Sequence, residues 1–283
     1  ATSLTILSRY FDNVLSEWIP FNQASGNLNI GTGGLGNIAL NSNRQIAFVG
    51  TVSNRLSLIR AGSGSDIQVL LQAGAASPTG GTFSSFSNIQ LTPSGSVVFT
   101  AGVTSGLAGI FMWSGGPVTP VAATDIYRNI GAPVVGGESI YFAAARDTVT
   151  GIFVYANGAV QPAITVGARL PTNTTLTNIG AYAAQENGSL VFQATGSFTG
   201  LFVRSSDGIM STVALVSENS PASGRFTSFV SLAMGGSIVL ANSFVTQDRA
   251  ALFMALPAEF QAPVISSISF SVPERAGFSR RTD

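Results

Sequence analysis

A short, apolar, β-prone run that closes on Phe or Leu recurs five times along this chain of 283 residues. It reads RQIAFVG at Phe48, SGSVVFTA at Phe99, ESIYFAA at Phe142, GSLVFQA at Phe192 and GSIVLAN at Leu240, with steps of 51, 43, 50 and 48 residues between anchors. The neighbourhood of each anchor recurs too. Before it stand GNIAL at Asn37, SNIQL at Asn88, RNIGA at Asn129, TNIGA at Asn178 and VSLAM at Ser231, joined to it by turns rich in Asn, Gly or Pro. After it come LSLIR at Leu58, GIFMW at Ile110, GIFVY at Ile152, GLFVR at Leu201 and ALFMA at Leu252. A fourth run follows near Val69, Val121, Ala163, Val213 and Val264. The stretch from Gly81 to Gly116 holds three of the four runs and serves as the template.

Four short strands repeated every 40 to 50 residues or so indicate an all-β propeller of four-stranded antiparallel blades. The turn residues tolerate the positive φ of tight hairpins. Third strands alternate imperfectly, as expected of strands buried on both faces. With 32 glycines and no sustained 3.6-residue period, helices are not expected. The repeats place blades near 37–72, 88–122, 129–165, 178–215 and 231–265. Residues 1–20 read as two strands that lack partners, and Ser266–Val272 reads as a first strand. Residues 1–20 and 266–281 are therefore expected to share a sixth blade and close the ring over 1–272, leaving 273–283 as a disordered tail. Five blades is the alternative.

The repeat signature combines an Asn or Asp turn, G-x-x-x-F, GIFV and P-V-A. It resembles the secreted bacterial tandem-repeat propellers with an N-x-x-G-x-x-A-F core. Asn187–Phe192 (NGSLVF) and Ser94–Phe99 (SGSVVF) match that core loosely, and Asn43–Phe48 (NRQIAF) lacks the Gly. A more distant similarity is to propellers of the TolB type, whose channel and one face bind proteins. The resemblance implies a fold and an extracellular setting, and it carries no catalytic residue.

Composition removes several chemistries. No histidine and no cysteine occur, so a Ser-His-Asp hydrolase, a histidine metal site, a thiolate site and disulfides are all ruled out for this chain. No G-x-S-x-G elbow and no Ca loop motif appear. No metal or cofactor is therefore expected. Thirteen acids balance thirteen bases, so nothing draws the chain to nucleic acid, and no apolar run is long enough to insert in a membrane as a helix. Charged residues are only 9%, with Ser, Thr, Asn and Gly supplying the polar surface, which fits a secreted or cell-surface protein whose signal sequence is not in this chain.

One polar cluster stands out: Asp125, Tyr127, Arg128 and Glu138, within TDIYRNIGAPVVGGES. It is a weak binding candidate, a solvated loop pair being the commoner reading of its two acids. Asn37, Asn88, Asn129, Asn178 and Ser231 occupy one slot in every blade and are expected to form a polar ring at the channel mouth, satisfying backbone groups. Asp207 in SSDG lacks the Thr-Trp of an Asp-box and reads as a hairpin turn. Trp18, Trp113, Tyr10 and Tyr155 could stack on sugars if exposed. Asn173 and Asn187 fit N-x-[ST]. Differences among copies point to Tyr127, Arg128 and the loop from Val166 to Thr177. These readings lead to a non-catalytic interaction or structural module, not an enzyme, that binds a protein partner or copies of itself. A carbohydrate-binding propeller is the alternative, and a glycosidase-like pair of carboxylates is a more remote one.

Overall fold

Most of the repeated runs become strands, with successive residues buried against different neighbours; RNIGA at 128–132 does not, because the first strand of its sheet begins at Val134. The computed structural model describes residues 5–11, 14–20, 38–62, 67–185, 187–196, 198–220, 224–235, 238–245, 249–256 and 264–268. Among them lie a hairpin of β1 (Thr5–Phe11) and β2 (Val14–Pro20), then five four-stranded sheets and no helix. The first sheet holds β3 (Ala39–Leu40), β4 (Ile46–Val52), β5 (Arg55–Ala61) and β6 (Ile67–Gln72). The second holds β7 (Thr82–Leu91), β8 (Val97–Thr104), β9 (Gly109–Trp113) and β10 (Thr119–Ala123). The third holds β11 (Val134–Gly136), β12 (Ser139–Arg146), β13 (Val149–Ala156) and β14 (Ala159–Thr165). The fourth holds β15 (Asn178–Ala184), β16 (Leu190–Thr195), β17 (Thr199–Arg204) and β18 (Met210–Leu215). The fifth holds β19 (Phe226–Gly235), β20 (Ile238–Val245), β21 (Arg249–Leu256) and β22 (Val264–Ile268).

Within each sheet the strands pair antiparallel in chain order, and neighbouring first strands lie beside one another, β3 by β7, β7 by β11, β11 by β15 and β15 by β19. This is the propeller arrangement, with the first strands innermost. The core is a series of layers between the sheets. Val97 and Phe99 of β8 face the first sheet while Val98 faces the third. Ile140 and Phe142 of β12 face the second sheet while Tyr141 faces the fourth. A strand buried on both faces has no polar side, which explains the imperfect alternation.

Phenylalanines pair across the two middle strands of three sheets. Phe99 opposes Phe111, Phe142 opposes Phe153 and Phe192 opposes Phe202, with ring centroids 5.9, 5.9 and 6.0 Å apart. Such cross-strand pairs are the elementary stabilising unit of a sheet. Two-residue turns join strands where both residues hold positive φ, as at Ser53–Asn54 (50° and 63°) and Asn157–Gly158 (53° and 79°). Each outer strand of the first four sheets carries a register shift against its neighbour, near Val69, Pro120, Pro162 and Thr212. Bulges and edge prolines blunt an exposed strand edge.

Ser266, Ser267 and Ile268 pair with Met254, Phe253 and Leu252, so they finish the fifth sheet where a new first strand had been expected. Among the described residues β1 and β2 pair with each other alone. The rest of the expected sixth blade and the tail 273–283 lie outside the described residues.

Candidate functional site

The innermost strands are free of charge. Neither β3, β7, β11, β15 nor β19 contains an Asp, Glu, Arg or Lys, although these strands present Leu40 and Val230 to solvent, with Leu40 59% exposed. At one end of them the turns into the second strands converge. Asn41 and Asn43 donate from their side-chain amides to the carbonyls of Thr92 (2.8 Å) and Pro93 (2.6 Å) of the next sheet. Ser94 donates through its backbone N–H and its hydroxyl to the two carboxylate oxygens of Glu138, both at 2.8 Å. The Tyr141 hydroxyl donates to the Gly188 carbonyl at 3.1 Å, which carries the chain of bonds to the fourth sheet. Burial pushes the Tyr141 phenol up, and the Arg204 guanidinium opposes that shift. Leu40, Asn41, Leu91, Pro93, Val135 and Gly137 line a cavity of about 140 Å³ amid these turns. Its polar groups are the Asn41 amide, the Ser42 hydroxyl and backbone groups, all uncharged and suited to neutral, amide-like ligands.

The quartet expected from sequence is not one site. Arg128 bridges to Ala145 at the far end of β12, and its guanidinium donates to the Asp147 carbonyl at 3.2 Å. Glu138 sits at the other end of that strand, roughly 20 Å away at about 3.3 Å per residue. Asp125 is exposed in the turn after β10. Tyr127 is 4% exposed, with its ring edge-on to Phe142 (5.5 Å) and Phe153 (5.4 Å) and its hydroxyl accepting from Arg146 at 3.2 Å. Phe83 meets Phe111 the same way in the second sheet, at 5.2 Å. Tyr127 thus fills its core layer as Phe83 fills the one before it, which sequence could not distinguish from a site aromatic because the rings it meets follow it by 15 and 26 residues.

The loop from Val166 to Thr177 also conforms to its relatives. Leu170 donates to the Thr174 carbonyl (2.8 Å) as Ser77 does to Gly81 (3.0 Å) and Ser220 to Gly224 (2.8 Å). The departure is in 124–133, which has no such turn among its backbone bonds.

The expected polar ring is uneven. Asn37 lies outside the described residues. Asn88 and Asn129 adopt φ of 48° and 53°, whereas neither Asn178 nor Ser231 has positive φ. Asn88 also donates weakly to the Thr100 hydroxyl, at 3.4 Å. Asn is enriched in that left-handed conformation, so backbone shape explains it at two of the slots. Replacing Asn129 by Val is expected to cost about 1–2 kcal/mol, and Asn129→Gly to be near neutral, in urea titrations. Equal losses from both would place the asparagine's value in its side-chain bonds instead.

The other candidates divide cleanly. Trp113 is 8% exposed with the Arg60 guanidinium 4.7 Å above its ring, so it offers no open sugar platform. Side chains of Tyr10 and Trp18 are outside the described residues, and Tyr155 is half-buried. Asn173 and Asn187 are exposed. Asp207 accepts from the Ser205 hydroxyl and from the Ile209 N–H, and the Ser205 bond, ahead of the latter, holds its carboxyl below the usual range. Glu17 lies in β2, and Asp125, Glu138, Asp147, Asp207 and Glu218 occupy five separate turns; among the described residues no group of three potential metal ligands forms.

No protein-family model and no curated protein matches the chain. Solved structures do. A puromycin hydrolase is 10% identical with a TM-score of 0.43, covering 90% of this chain and 48% of its own. An isopeptidase is 7% identical with a TM-score of 0.32, covering 81% and 39%. A protein from Lactobacillus plantarum is 14% identical with a TM-score of 0.35, covering 82% and 83%. The chain thus spans about half the length of the puromycin hydrolase. These matches overturn the expectation of a non-catalytic scaffold and of a protein that is not an enzyme, since hydrolases and peptidases are among the proteins whose fold it resembles. At such identities the likeness concerns the fold and transfers no residue.

Proposed function

We propose that this chain is the substrate-admitting part of a hydrolase that acts on a neutral, peptide-like substrate. The observation that supports it most is the uncharged set of inner strands opening on a cavity ringed by amide and backbone groups. A charged ligand gains nothing from such walls and loses its hydration on entry, whereas an amide backbone finds donors and acceptors. The hydrolase class follows the solved structures named above. With no histidine or cysteine in the sequence and Asp125, Glu138, Asp147, Asp207 and Glu218 in separate turns, the reading puts the nucleophile and its base outside the described residues. An exported setting belongs to the same reading, supported by the Ser/Thr/Asn-rich surface and the partial N-x-x-G-x-x-A-F repeats.

The test is hydrolysis of neutral aminoacyl and dipeptidyl anilides by the full protein, with Leu40→Arg as the probe of the mouth. Leu40 is exposed, so the variant is expected to keep its melting temperature while kcat/KM falls about tenfold. No turnover of any anilide, or unchanged kcat/KM in Leu40→Arg, would sink the reading.

A further inference from the structure

A second cavity, of about 320 Å³, lies between the third and fourth sheets and shares no lining residue with the mouth. Its lining is mostly apolar, with Ile164, Ala168 and Met210, and includes Thr165 and, as its charged group, Arg204. That volume is at the lower end for small-ligand sites, about 300–1,000 Å³. Arg204 is half-buried at the end of β17, and among the described residues its guanidinium has no hydrogen bond or ion pair. Other half-buried arginines are engaged: Arg60 donates to the Gly95 carbonyl and Arg146 to the Tyr127 hydroxyl. The nearby Asp207 is occupied within its own turn by Ser205 and Ile209, and acts on Arg204 only through space. Gly208 lies beside the cation. A Cβ built there would stand 3.5 Å from Nη2 of Arg204, so the guanidinium lies over the bare glycine.

A partly desolvated cation without a partner is unfavourable, and a planar guanidinium beside an apolar wall matches a carboxylate attached to an apolar side chain. We propose that this seam binds the C-terminal carboxylate of a peptide, Arg204 holding the carboxylate and Ile164 and Met210 receiving the last side chain. Ile164 is buried and Met210 half-buried, so the apolar wall is built before any ligand arrives.

The proposal is independent of the mouth and is tested without turnover. Isothermal titration of the full protein would use N-acetyl-alanyl-leucine as the free acid, the same peptide as its C-terminal amide, and inorganic phosphate. The acid is expected to bind, with the amide and the Arg204→Gln variant each weaker by about tenfold or more. Ala168→Trp, which fills the cavity from a loop, is expected to abolish binding, and it decides the matter if Arg204→Gln fails to fold. Binding of acid and amide with equal affinity, phosphate binding as tightly as the acid, or no heat from the acid at about 10 mM would each overturn the proposal.

Discussion

Phe99→Ala is expected to remove about 3–5 kcal/mol of stability and to lower Tm by about 10 °C. Phe99 is fully buried in the layer between the first two sheets, where its ring lies 5.8 Å from Phe86, 5.9 Å from Phe111 and 6.2 Å from Phe83. Deleting it leaves a cavity that three aromatic rings on paired strands cannot collapse into, because each is itself held by cross-strand packing. Since whole domains are stable by only about 5–15 kcal/mol, one such loss is a large share. Phe198→Ala is the control. Phe198 is 52% exposed beyond β16, so its loss should stay within about 0.5 kcal/mol. Urea titrations of both variants check the contrast, and similar midpoints would mean that the layers do not carry the stability.

Gly151→Ala is expected to cost about 3 kcal/mol although it adds one methyl group. Gly151 does not need positive φ; it needs space. A Cβ there would stand 2.1 Å from the Ile164 carbonyl oxygen, because the register shift of β14 drives that carbonyl over β13. Gly109 meets the Ala122 carbonyl at 1.9 Å and Gly200 the Ala214 carbonyl at 2.7 Å in the same way. A backbone oxygen cannot rotate aside as a side chain can, so relief requires the outer strand to shift. Gly116→Ala makes the identical chemical change in open space at ordinary φ and is expected to stabilise by about 0.4–1 kcal/mol. Opposite signs in thermal unfolding would confirm the account, and equal effects would refute it.

Much of the architecture was readable from residues close in sequence. The G-I-F runs are third strands, the turns at Asn157–Gly158 and Thr92–Ser96 are where Asn, Gly and Pro placed them, and Phe99 does lie between sheets. The reason for Gly in G-I-F was not readable, since it depends on a carbonyl of the neighbouring strand. The site was less legible still. Asp125, Tyr127, Arg128 and Glu138 look like one cluster in sequence, yet an eight-residue strand carries Glu138 to the opposite end of the third sheet.

The sequence alone therefore determined the repeat, the strand order within each sheet and the exclusion of histidine and cysteine chemistry. Burial period, turn conformation and composition are local properties, and local residues encode them. Only the tertiary structure decided that Glu138 fastens Ser94, that Tyr127 plugs a core layer and that Arg204 lines a seam between the third and fourth sheets. Those outcomes come from contacts between sheets and across strands, where residues tens of positions apart meet through packing that no sequence period records.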